Sequence, residues 1–131
     1  MAARILVVDD EPSVLAVVSR ALREEGHEVI AVSNGQTAYD VALDQTVDVV
    51  VTNNCMPGLS GAELVRALRK RFPTIPILHL DDHSLATPSQ FQVPADVPTL
   101  LKPFDLVALG AAVRRLLTPR RPSQPELATA T

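Results

Sequence analysis

Four polar stations stand at the ends of apolar runs: Asp9-Asp10, Asn53, Asp81-Asp82 and Lys102. Each follows a short apolar run. Adjacent carboxylates suit a hard cation such as magnesium, which takes oxygen ligands from one or two carboxylates, waters and a phosphate oxygen. A lysine across from them supplies a point charge that holds a phosphoryl oxygen or pairs with an acid. With an aspartate nucleophile between the two, such a set transfers phosphoryl groups, because positioning and charge neutralisation supply most of that catalysis. Here the residue between them is Asn53, an amide and not an acid.

The elements that carry these stations read in order. Arg4–Val8 (RILVV) is a strand, and Asp9-Asp10-Glu11-Pro12 opens a helix that runs to about Glu25, with Asp10 or Glu11 able to cap its free amides. Val14, Leu15, Val18, Ala21 and Leu22 form its apolar face. Glu28–Val32 is the second strand, and Ser33-Asn34-Gly35 caps a helix over Gln36–Asp44 that faces inward through Ala38, Val41 and Ala42. Val47–Val51 is a buried strand that stops at Thr52-Asn53-Asn54-Cys55. Ser60 and Glu63 form a capping box for a helix over Ala62–Arg71, whose basic last turn suits the negative end of the helix dipole. Ile75–Leu80 is strand four and Thr99–Leu101 a brief fifth. Between them, Asp81–Pro98 is irregular, with room for at most one short helix between Pro88 and Pro94. Asp105 caps a last helix to about Leu117 with Leu106, Leu109, Val113, Leu116 and Leu117 as its stripe. Residues 1–118 are expected to form one domain, and 119–131 a Pro-rich flexible tail.

Alternating strands and helices call for a parallel sheet covered on both faces. Right-handed crossovers then bring every strand's carboxyl end to one edge, where Asp9-Asp10, Asn53, Asp81-Asp82 and Lys102 converge. Composition narrows the rest. Hydrophobic residues make up 47% but aromatics only 3%, so the core must be aliphatic. A net charge of −3 gives no argument for nucleic acid or a membrane surface as a direct partner. One cysteine excludes an internal disulfide and fits a reducing compartment. No apolar run reaches membrane-spanning length, and Met1-Ala2-Ala3-Arg4 has no signal-peptide layout, so a cytoplasmic location is expected.

VVDDEP at Val7–Pro12, DVVVTNNCMPGLSG at Asp48–Gly61 and LLKPF at Leu100–Phe104, in this order and spacing, resemble the receiver domain of bacterial two-component response regulators, over roughly Arg4 to Leu117. The resemblance implies an α/β fold: a doubly wound, flavodoxin-like five-stranded parallel sheet of order 2-1-3-4-5, with the fourth helix irregular here. It implies phosphoryl transfer from a sensor histidine kinase or phosphotransfer protein to an aspartate, and signalling through a downstream protein partner. Homodimerisation through the face of the fourth and fifth helices would be one such contact. Carried over by position, Asp10 is a direct magnesium ligand, Asp9 an acid acting through water, the Cys55 carbonyl a further ligand, and Lys102 the lysine that contacts the phosphoryl group. The domain is expected to signal rather than to act as an enzyme.

The departures are as informative. The acceptor position, three residues before Met56-Pro57, is Asn53, and an amide cannot form an acyl phosphate. The hydroxyl-bearing switch position falls on Asp81, which repels a phosphoryl oxygen unless protonated. The aromatic switch position falls on Thr99. Asn53 stands for an engineered exchange of aspartate, for a natural pseudo-receiver that works by binding alone, or for both together, an atypical receiver further mutated. A carboxylate-dependent phosphohydrolase would want an Asp-x-Asp after strand one, and a nucleotide-binding domain a glycine-rich loop; DDEPS has neither. Plainer readings stand beside these. Asp9-Asp10 could merely cap a helix, Lys102 could pair with Asp9, and Asn53 could be a satisfied loop amide. His79 reads as a buried strand residue, His83 as part of a solvated turn, Cys55 as an unreactive loop thiol, and Lys102-Pro103 as open to a cis bond.

Overall fold

The sequence alternates five apolar runs with amphipathic segments, and the backbone follows that alternation. The structure, a computed structural model, describes residues 3–54, 56–81 and 93–118. Its elements are β1 (Arg4–Val8), α1 (Pro12–Glu24), β2 (Glu28–Val32), α2 (Gly35–Asp44), β3 (Val49–Asn53), α3 (Gly61–Arg71), β4 (Ile77–Asp81), β5 (Thr99–Leu101) and α4 (Leu106–Leu117). The five strands form one sheet of order β2-β1-β3-β4-β5. All four pairings are parallel.

Period-two alternation explains why the central strands are apolar throughout. Ile5, Val7, Val49, Val51, Leu78 and Leu80 point to one face and pack against Val18 and Leu22 of α1 and Leu109 and Val113 of α4. Leu6, Val8, Val50 and Ile77 point to the other, against Ala38 and Ala42 of α2 and Leu64, Val65 and Leu68 of α3. Both layers are aliphatic, as the near absence of aromatics requires. Each fully buried Val, Leu or Ile contributes about 1.5–3 kcal/mol, so these two layers carry most of the stability.

Local signals set the helix starts. Asn34 accepts the Thr37 amide at 2.8 Å, Asp105 accepts the Ala108 amide at 2.6 Å, and Ser60 and Glu63 close a reciprocal capping box at 3.2 and 2.9 Å. At α1 neither Asp10 nor Glu11 caps. Glu11 is the N-cap without a side-chain bond, and Asp9 accepts the Glu11 amide at 2.9 Å instead.

The bounds of β3 and β4 and one stripe residue of α4 differ most from the sequence reading. β3 starts at Val49 and runs on through Asn53, because Asn53 pairs with Leu80 and the Asn54 amide donates to the Leu80 carbonyl at 3.0 Å. β4 starts at Ile77 rather than Ile75: the Ile75 carbonyl takes the Arg69 guanidinium at 3.0 Å, and Pro76 has no amide to donate. Leu106 is exposed rather than part of the α4 stripe. The expected short helix at 88–94 begins in a segment, residues 82–92, outside the described residues, as do Asp82, His83, Cys55 and the tail 119–131.

Candidate functional site

At the carboxyl edge of the sheet, the ends of β1, β3 and β5 meet. Asp9, directly after β1, is 1% exposed. Its Oδ1 accepts the Glu11 amide, while Oδ2 is buried with no hydrogen-bond partner and lies 3.7 Å from the Lys102 ammonium. Burial pushes the Asp9 carboxyl above its ordinary range, and the charges of Asp10 and Glu11 add to this. The Glu11 amide and the Lys102 ammonium oppose the rise without cancelling it. Asp10 is exposed.

Asn53, the last residue of β3, bridges the acids and the cation. Its Nδ2 donates to Asp10 Oδ1 at 3.4 Å, and its Oδ1 accepts from Lys102 Nζ at 2.9 Å. A carboxylate only accepts and an ammonium only donates, so this amide can be oriented one way alone. Lys102 follows β5, and its peptide bond to Pro103 is cis. The Lys102 ammonium lies nearer to Asn53, at 2.9 Å, than to Asp9, at 3.7 Å.

The sheet edge is held from behind by α3. A Cβ at Gly61 would overlap the Asn53 carbonyl and the Asn54 Cα, so only glycine lets the first turn of α3 seat there. The Gly61 amide then donates to the Asn54 carbonyl at 2.7 Å.

Asp81 does not join the acids at 9 and 10. Its Oδ1 accepts from Asn54 Nδ2 at 3.1 Å. Thr99 is exposed, and its hydroxyl shares a 3.2 Å hydrogen bond with Nδ1 of the buried His79, whose pKa is pushed down by burial against an opposing pull from Asp81. Asn54 was not singled out by sequence reasoning. The signal was available: a polar residue directly after a fully buried strand needs a partner.

A hard cation fits what remains. The buried Asp9 Oδ2 lacks a hydrogen-bond partner, and a second carboxylate follows in the chain. Among the described residues no set of three His, Cys, Asp or Glu side chains converges, so waters and backbone oxygens would complete the shell. Next to Lys102 runs an apolar cavity of about 480 Å³ between α1 and the start of α4, walled by Val14, Val17, Pro103, Phe104 and Leu106.

Comparison with known proteins agrees with this geometry. The response regulator receiver domain family matches residues 5–114. The transcriptional regulatory protein TcrA of Mycobacterium tuberculosis is 37% identical over 114 residues, which are 86% of this chain and 45% of TcrA. PrrA of the same organism is 36% identical over 118 residues, 89% of this chain and 51% of PrrA. The chain thus spans about half the length of these curated relatives. Among solved structures, a response regulator receiver protein from Sinorhizobium medicae superposes with a TM-score of 0.81 at 32% identity, covering 92% of this chain and 98% of that one. The receiver domain of the hybrid histidine kinase CckA gives 0.74 at 30% identity, covering 88% and 99%. With the family model matching most of the chain and receiver structures sharing its parallel sheet of order 2-1-3-4-5, this chain belongs to the response regulator receiver domain family.

Proposed function

We propose that this receiver serves a two-component or phosphorelay pathway as a protein-contact module whose acceptor position, Asn53, is blocked in the chain as it stands. The observation that carries the reading is the Lys102–Asn53–Asp10 bridge, which puts residue 53 between the cation and the acids. With aspartate at 53, the carboxylate would stand where the Asn53 amide stands, with Lys102 Nζ placed to hold an incoming phosphoryl oxygen. Asp9 and Asp10 would hold magnesium, which when bound supplies positive charge against the phosphoryl oxygens. Asn53 offers no carboxylate oxygen to form the acyl phosphate.

The partners are a sensor histidine kinase or a phosphotransfer protein upstream and a protein downstream, with a second copy of the chain as a further candidate. The apolar cavity that Lys102 helps to line is the contact surface proposed for an upstream partner. No helix among the described residues is long and apolar enough to cross a membrane, in keeping with a cytoplasmic site of action.

A second reading, a pseudo-receiver that binds without any phosphorylation, draws on the Asn54–Asp81 bond, which occupies the switch position with a partner of its own. Acetyl phosphate with magnesium separates the two. One phosphoryl group gained by the Asn53→Asp variant, and none by the parent, supports the first reading. No gain in either form overturns it in favour of the second.

A further inference from the structure

Asn54 is 2% exposed and pinned through its backbone on both sides. Its amide donates to Leu80 of β4 at 3.0 Å, and its carbonyl accepts from Gly61 of α3 at 2.7 Å. Its side chain then does two things. Nδ2 donates to Asp81 Oδ1 at 3.1 Å, and Oδ1 is buried without a hydrogen-bond partner. An unpaired buried acceptor is a cost that an apolar residue of the same size would avoid.

What the amide holds is the carboxylate of a residue whose backbone pairs with that of Lys102. The Asp81 carbonyl accepts the Lys102 backbone amide at 2.8 Å, so the two residues are neighbours across β4 and β5. A carboxylate on a residue bonded through the backbone to a lysine has that ammonium within its reach when nothing else holds it. Here the Lys102 ammonium is on Asn53 and near Asp9, while the Asp81 carboxylate is on a neutral amide.

We propose that Asn54 is a positioning residue that withholds Asp81 from the Asp9–Asp10–Lys102 pocket and so sets how strongly the pocket takes a divalent cation. The proposal rests on the reading that Asp9 and Asp10 hold such an ion. Cut loose from Asn54, Asp81 turns toward Lys102 and brings a third carboxylate to a pocket that has two. Carboxylate count is the main control on the affinity of a hard oxygen site.

The test uses Mn²⁺ as the probe, with free ion counted by electron paramagnetic resonance and fold checked by circular dichroism. The parent chain is compared with Asn54→Leu, Asp81→Asn and the double variant. Asn54→Leu binds Mn²⁺ roughly fivefold more tightly, Asp81→Asn alone stays within about twofold of the parent, and the double variant loses the gain. A gain that is absent in Asn54→Leu, a gain that survives in the double variant, or a loss of affinity in Asp81→Asn alone overturns the proposal. If Asn54→Leu does not fold, the Asp81→Asn arm decides: unchanged affinity supports the withheld carboxylate, and weakened affinity refutes it. Binding by the parent without the Asn54→Leu gain sinks this proposal alone. No binding by parent or variants removes the cation reading as well.

Discussion

Replacing Lys102 by methionine isolates what the cation does for the buried acid. Methionine keeps most of the apolar stem and removes the ammonium that lies 2.9 Å from Asn53 Oδ1 and 3.7 Å from Asp9 Oδ2. A hydrogen bond from a charged donor is worth about 1.5–3 kcal/mol, and stranding a buried carboxylate costs up to about 3–5 kcal/mol. The Asp9 pair is long, and Lys102 is 19% exposed, so water relieves part of that cost. A net loss of roughly 2 kcal/mol at pH 7.5 follows. Its pH dependence is the diagnostic feature. The folded-state pKa of Asp9 is raised, so the associated stability is fully present below the unfolded value of 3.8 and is lost as pH rises through the folded value. Lys102 lowers that folded value, so Lys102→Met raises it further, and the variant suffers more at neutral pH than in acid. Urea melts of the parent, Lys102→Met, Asp9→Asn and the double variant at pH 7.5 and 4.5 read this directly. The gap between parent and Lys102→Met should narrow at pH 4.5, and should also shrink when Asp9 is already Asn. An equal gap at both pH values, with no coupling to Asp9, would refute the reasoning.

Other outcomes follow from single contacts. Ser60→Ala removes one half of the α3 capping box and should cost about 1 kcal/mol, read as a lower urea midpoint at constant slope. Buried His79 has its pKa lowered from 6.5, so the unfolded chain binds the proton first as the solution is acidified. Stability contributed by neutral His79 is therefore present above about pH 6.5 and declines as pH falls below it toward the folded value. His79→Gln should flatten that part of a stability profile taken between pH 7.5 and 5, and an unchanged slope would contradict the assignment.

Much of this arrangement was legible in the residues because local rules and tertiary packing agree. Val49–Val51 reads as a strand apolar on both faces, and both faces are covered. Asn34, Ser60 and Asp105 read as caps and act as caps. Most of the misreadings trace to pairing between residues far apart in the chain. Asparagine favours turns, so Asn53 reads as loop, yet the ladder to Leu80 carries β3 through it. Ile75–Leu80 reads as one apolar run, but the strand starts only after Pro76, which has no amide to donate. Asp81 reads as an acid facing the site, and nothing local shows that an amide 27 positions earlier in the chain holds it. The plain reading of Lys102 as the ion-pair partner of Asp9 captured the longer of its two contacts, because the position of Asn53 beside it depends on the whole sheet.

The most direct test of the central claim, that residue 53 sits where Lys102 and the acid pair can act on a phosphoryl group, is phosphoryl uptake by Asn53→Asp with and without its neighbours. Intact mass is followed in acetyl phosphate and magnesium for the parent, Asn53→Asp, and Asn53→Asp combined with Lys102→Ala or with Asp10→Asn. One phosphoryl group on Asn53→Asp, none on the parent, and uptake slowed at least about tenfold in both combinations is the predicted result. A folded Asn53→Asp chain that takes up nothing, or that takes it up equally well without Lys102 and Asp10, would contradict the account.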